Sequence, residues 1–120
     1  MYPYIVLTYF VGLLVLIALL RLQFGNIKSQ YSEENPLLIN LCKFCPECKL
    51  RIRPDTEHCF ECDACVEGFD HHCGFVGVCV GDNNAKYFSQ FIMFGGIQVG
   101  LIGLSHLKFL NLIVDEKLKL

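Results

Sequence analysis

Seven of the chain's eight cysteines and three of its four histidines fall between Cys45 and Cys79. Three features are nested there: Cys45-x2-Cys48, then His58-Cys59-x2-Cys62-x2-Cys65, then Asp70-His71-His72-Cys73 with Cys79 beyond. A Cys-x2-Cys pair lets two thiolates grip one Zn²⁺ from a tight turn, and a structural zinc takes four such ligands. One ion would leave most of these donors idle. Two ions take eight, and the stretch offers ten. A disulfide framework is the alternative for a cysteine-rich chain, but interleaved histidines favour metal. Reduced thiols in turn imply a segment that faces the cytosol.

The residues around this stretch are apolar. Of 120 residues 53% are hydrophobic, and the excess sits in two runs. Residues 1–20 hold no charged side chain, and 87–107 hold none beyond the titratable His106. Each can cross a hydrocarbon layer of ~30 Å as a helix rising ~1.5 Å per residue. The first run lacks the basic start and small-residue cleavage site of a signal peptide, so a transmembrane helix is expected. Tyr2 and Tyr4 suit one interface, and Arg21 and Lys28 mark the other as cytosolic. Residues 21–44 read as a linker with a turn at Asn35-Pro36 and an apolar patch at Leu37, Leu38 and Ile39, expected to pack on the zinc module. Residues 45–86 form that module, of loops and short hairpins, since Pro46 and Pro54 bar a continuous helix. It is too small and polar for a sizeable apolar core, so metal would substitute for one.

Asp82-Asn83-Asn84 offers capping chemistry for a second span over 87–107, in which Gly96-x3-Gly100 fits a close helix contact as well as it fits glycines of no packing role. A mixed, frayed tail is expected over 108–120. No internal repeat beyond the Cys-x2-Cys units is read. The expected fold is thus membrane α-helical, two transmembrane helices flanking a zinc-stabilised module, with both termini on the far side. A net charge of −2 without a one-sided basic face argues against nucleic acid as a partner.

The run from Cys45 to Phe88 resembles the cysteine-rich domain of the DHHC protein S-acyltransferases. It keeps the Cys/His spacing, Pro54, the whole Asp70-His71-His72-Cys73 tetrad, Cys79, Gly81 and Asn84. The resemblance implies two interleaved zinc sites: Cys45, Cys48, His58 and Cys65; and Cys59, Cys62, His72 and Cys79. It leaves His71 and Cys73 free. It further implies palmitoyl transfer from acyl-CoA through an S-acyl-enzyme on Cys73 to cysteines of membrane-proximal protein substrates. On an extended backbone His71 and Cys73 share one face and His72 takes the other. Asp70 can then orient His71 as base. In that family the module lies between the second and third of four spans. The first and fourth spans and a Thr-Thr-x-Glu motif are not in these 120 residues, so a fragment or reduced member is expected, with a partner membrane chain or homo-oligomer as a further expectation. The family's Pro-Trp after the tetrad is here Gly74-Phe75, an Arg two residues after its Pro is Thr56, and Gly77-Val78 stands where it has an Asn just before the last cysteine region.

Blander readings stand beside these. Cys73 can be a ninth structural ligand and His71 a bystander. Cys42 falls outside the pattern, as a spare or acylated thiol, and His106 suits a helix end at an interface. A membrane-anchored zinc module without catalysis, serving interaction or regulation, is the rival function. A RING-type ubiquitin ligase would need another Cys-x2-Cys after Cys79, which does not follow. The expected location is an endomembrane (ER or Golgi) or the plasma membrane, as a multi-pass protein with its module in the cytosol.

Overall fold

Uninterrupted by charge, the first apolar run forms one helix, α1, over Tyr2–Phe24. Pro3 falls in the first turn, where its missing N–H costs no hydrogen bond. Thr8 donates its hydroxyl to the Tyr4 carbonyl at 2.8 Å, which satisfies that polar group within the helix. The computed structural model describes residues 2–25 and 42–118. Lys28, the Asn35-Pro36 turn and the Leu37, Leu38 and Ile39 patch lie outside the described residues, as does the side chain of Tyr2.

Among the described residues six three-residue strands follow: β1 Lys43–Cys45, β2 Leu50–Ile52, β3 Glu57–Cys59, β4 Ala64–Val66, β5 His71–Cys73 and β6 Val78–Val80. They pair as three antiparallel hairpins, β1–β2, β3–β4 and β5–β6. These hairpins are one unit repeated every fourteen residues. Cys45, Cys59 and Cys73 each end a first strand. The turns close at Lys49, Asp63 and Gly77, all with left-handed backbone at φ 55°, 47° and 69°. A side chain in that region is strained, and two of the three turns carry it on a residue other than glycine. The repeat corrects the reading of no repeat beyond the Cys-x2-Cys pairs.

Helix α2 runs from Ala85 to Leu118. At ~1.5 Å per residue its length is ~51 Å, well beyond a hydrocarbon layer of ~30 Å. The segment after 107, expected to fray, is helical through Leu118. Asn84 precedes the helix but does not cap it with its side chain. Its Oδ1 accepts from Gly81 N–H at 2.9 Å and its Nδ2 donates to the Cys79 carbonyl at 2.8 Å. The buried amide thus ties α2 back to the end of β6.

Two units result, Met1–Leu19 with Ser89–Leu120, and Leu20–Phe88. In the first, α1 and α2 run antiparallel: Lys108 Nζ lies 3.9 Å from the Tyr4 ring centre, and a Cβ on Gly12 would meet Gln98 at 3.8 Å. The Gly96-x3-Gly100 contact is not formed; a Cβ on either glycine would meet nothing within 4 Å. Ser105 and His106 return their polar atoms to the Ile102 carbonyl at 2.7 and 2.9 Å. Both helices are long and apolar enough to cross a membrane, and α2 buries none of its residues. A long apolar helix that buries none of its residues suits lipid rather than water.

In the second unit the buried clusters are small and rich in sulfur. One is Cys45, Ile52 and Cys65 with Cys48; the other is Cys59, Val66 and Cys79 with Cys62 and Phe69. So little hydrocarbon gives a weak hydrophobic term, and the fold leans on what the thiols bind.

Candidate metal centres and nucleophile

The hairpins offer two kinds of ligand position. The turns of the first two present a Cys-x2-Cys pair, and the strands of the last two present a directly opposed His and Cys. His58 stands opposite Cys65 across β3–β4, and His72 opposite Cys79 across β5–β6. The turn of one hairpin meets the strands of the next. Cys45, Cys48, His58 and Cys65 therefore converge as one group, and Cys59, Cys62, His72 and Cys79 as another, with all donor atoms of a group within 4.8 Å of one another. These are the two sets that the family resemblance implies. The middle hairpin serves both.

The spacing fits tetrahedral zinc. Zn–S of ~2.3 Å and Zn–N of ~2.0 Å require sulfur-to-nitrogen distances of ~3.6 Å around a tetrahedron. In the first group Cys45, Cys48 and Cys65 Sγ lie 3.7, 3.3 and 3.9 Å from His58 Nδ1. In the second, Cys59, Cys62 and Cys79 Sγ lie 3.6, 3.4 and 3.6 Å from His72 Nδ1. Both histidines present Nδ1. Three sulfurs and a nitrogen with closed geometry suit a structural ion.

The electrostatics suit a cation. Burial, then the neighbouring Cys45 and Cys48 thiols, push the Cys65 thiol up to about 12. Burial, then Cys59 and Cys62, push the Cys79 thiol up in the same way. Three thiolates so close are not all charged unless an ion neutralises them, with the histidine as a neutral fourth ligand. Cys45 goes the other way: the Cys48 N–H, 3.4 Å from its sulfur, lowers its pKa. Outer partners are present too. Asp63 Oδ1 lies 4.0 Å from His58 Nε2. Cys59 Sγ donates to Glu61 Oε2 at 3.3 Å, which holds that carboxyl below its ordinary range. All eight cysteines are free thiols, so the disulfide alternative is not realised.

Cys73 repeats the position of Cys45 and Cys59, but Val76 stands where the second ligand of the pair would be. Its sulfur belongs to neither group of donors. The β5 register turns His72 toward the second group and leaves His71 and Cys73 on the opposite face. His71 Nδ1 lies 3.4 Å from Asp70 Oδ2, and its ring meets the Phe88 ring edge-on at 5.4 Å. Asp70 itself extends the ladder, donating its N–H to the Val80 carbonyl at 3.0 Å. An Nδ1–H held by Asp70 leaves the basic lone pair on Nε2.

Three residues that matter here escape a reading of motifs: Gln23, whose amide reaches the third turn; Asn84 in its tethering role; and Val76, conspicuous only once the fourteen-residue interval is seen. The recurrence of Cys45, Cys59 and Cys73 was the available signal.

A family model described as DHHC palmitoyltransferase matches residues 38–119. The palmitoyltransferase ZDHHC9 of Pongo abelii is 48% identical over 62 residues, 52% of this chain and 17% of its own. ZDHHC18 of Mus musculus is 53% identical over 51 residues, 42% of this chain and 13% of its own. ZDHHC9 of Homo sapiens is 53% identical over 51 residues, 42% of this chain and 14% of its own. The aligned stretch is thus a small part of each of these relatives.

Proposed function

The chain belongs to the DHHC palmitoyltransferase family, and from that premise we propose that it transfers a long-chain acyl group from acyl-CoA to protein cysteines through a thioester on Cys73. The observation that carries this is Cys73 itself, a knuckle cysteine outside both metal groups, on one strand face with a histidine that an aspartate holds by Nδ1.

His71 Nε2 takes the Cys73 proton, and Asp70 stabilises the imidazolium. The thiolate attacks the acyl-CoA carbonyl. The carbonyl–sulfur bond to CoA breaks, and CoA leaves as a thiol with the proton from His71. A substrate cysteine, deprotonated in its turn, attacks the Cys73 thioester and restores the thiol. One thioester replaces another at each step, so neither oxidant nor external energy is needed. Cys45, Cys48, His58 and Cys65, and Cys59, Cys62, His72 and Cys79, would each hold one zinc ion that would fix the hairpins in register. Four protein donors per ion would leave no open position for substrate. The module lies on the cytosolic side of an endomembrane or the plasma membrane, with α1 and α2 crossing in opposite directions and Arg21 marking the cytosolic end of α1. The protein substrates carry thiols near that surface.

The rival reading, a membrane-anchored zinc module without catalysis, has support in the turn after the nucleophile, where exposed Phe75 and unsupported Gly74 replace Pro-Trp. Incubation of the zinc-loaded chain with labelled palmitoyl-CoA decides between them. A hydroxylamine-sensitive label lost in Cys73→Ser, with zinc retained, is expected; no label on folded, zinc-loaded chain would establish the rival.

A further inference from the structure

The first two hairpins have metal ligands in their turns, Cys48 and Cys62. At the corresponding place in the third hairpin Val76 offers none. A different tie is found there. Gln23, in the last turn of α1, donates from Nε2 to the Val76 carbonyl at 2.6 Å. The same residue's N–H, with that of Gly77, donates to the Cys73 carbonyl at 3.2 and 2.8 Å. Two hydrogen bonds in series therefore connect the end of α1 to the backbone of Cys73.

Beside this tie, Gly74 and Gly77 leave open space, since a Cβ on either would meet nothing within 4 Å, whereas the Val76 side chain is buried. The anchor is fixed. Leu22 is fully buried, and a Cβ on Gly25 would lie 3.4 Å from that of Asn84. We propose that Gln23 is a positioning residue for Cys73, giving the third turn by hydrogen bond the fixity that metal gives the first two. The role rests on Cys73 as the nucleophile. A thiol carried on an untied glycine turn samples many positions relative to the His71 imidazole. Small misplacement of a reacting group costs rate steeply, ~100-fold for about 1 Å.

The test compares wild type, Gln23→Met and Gln23→Lys in the full zinc-loaded chain. Met keeps the shape and removes the donor; Lys restores a donor. With Gln23→Met, the maximal rate of palmitoyl-CoA labelling is expected to fall about tenfold. Zinc should stay at two per chain, and the half-saturating acyl-CoA concentration should not change. Gln23→Lys should recover most of the rate. A wild-type rate in Gln23→Met, zinc lost along with the rate, or no recovery in Gln23→Lys would each overturn the assignment. Iodoacetamide modification of Cys73, resolved from Cys42 by mass spectrometry, separates this from the acyltransferase reading. A wild type that takes no acyl label defeats that reading alone. Slower Cys73 alkylation in Gln23→Met than in wild type then still supports the tie, and equal rates overturn it.

Discussion

His72 stands directly opposite Cys79 across the β5–β6 ladder, and its Nδ1 lies 3.6 Å from the Cys79 sulfur. The adjacent His71 projects from the other face, toward Asp70 and Phe88. Neighbouring identical side chains should therefore fail differently. His72→Ala is expected to lose one zinc of two and loosen the second and third hairpins. His71→Ala should keep both ions and the fold and slow acyl labelling ~10²- to 10⁴-fold through loss of the base. Elemental analysis beside a labelling assay separates the two; equal zinc loss in both variants would refute the assigned roles.

Gly81 and Gly68 face each other's strand ends, and their replacement should differ in cost. A Cβ on Gly81 would lie 2.6 Å from the Glu67 carbonyl oxygen, a backbone atom, and 2.8 Å from a Val66 methyl. At Gly68 a Cβ would strike the Asp82 carboxylate, which can rotate away, but the φ of +55° remains strained for alanine. Gly68→Ala should cost ~1–2 kcal/mol. Gly81→Ala should cost more, ~3 kcal/mol or above, since main chain must move. Thermal melts of the zinc-loaded variants give the order; the reverse order would contradict this packing.

Thr56 is fully buried, and its hydroxyl has no hydrogen-bond partner among the described residues. Leaving a buried hydroxyl unpaired costs ~1–3 kcal/mol. Thr56→Val keeps the shape and removes the orphan. It should raise stability by ~1 kcal/mol, read as a higher melting temperature, and a lower one would mean that the hydroxyl is satisfied.

The sulfur environment sets a pH signature. An ordinary thiol ionises near ~8.5, whereas Cys65 is pushed up to about 12 and Cys79 is also raised. Metal binding displaces those protons. Without metal, a raised folded pKa gives stability that is whole below ~8.5 and fades as pH climbs toward 12. Zinc binding follows the opposite sign. Its affinity should keep rising beyond pH 9, where a site of ordinary thiols would level off, and should fall in acid as protons compete with zinc for the donors. Chelator competition from pH 6 to 10 checks this, and a plateau by pH 9 would count against folded metal-free sites.

Much of the site could be read from residue types alone. The density of cysteine and histidine specified two ions, and strand alternation separates His72 from His71 and Cys73. The partition of eight donors into two groups could not be read that way. Ligands of one ion come from two hairpins, so the pairing depends on hairpin stacking, and only family resemblance supplied it. Other features are invisible for similar reasons. Asn84 has good capping chemistry, yet its amide satisfies the Cys79 carbonyl and Gly81 N–H instead, a choice made by the tertiary neighbourhood. Gly96 and Gly100 fit a packing motif, but the α1 contact falls at Gln98. Gln23 is an unremarkable helix-end residue until the third turn is set beside it.

The sharing of the middle hairpin has a consequence for how the chain comes together. The first donor group spans Cys45 to Cys65 and the second Cys59 to Cys79, so each closes a short, local loop, and local closure is fast. On a ribosome, Cys65 emerges before the tetrad does, and Cys79 before any of α2. The donors of the first group are therefore complete before those of the second. The residue that precedes α2, Asn84, bonds back to Cys79 and Gly81, which emerge before it.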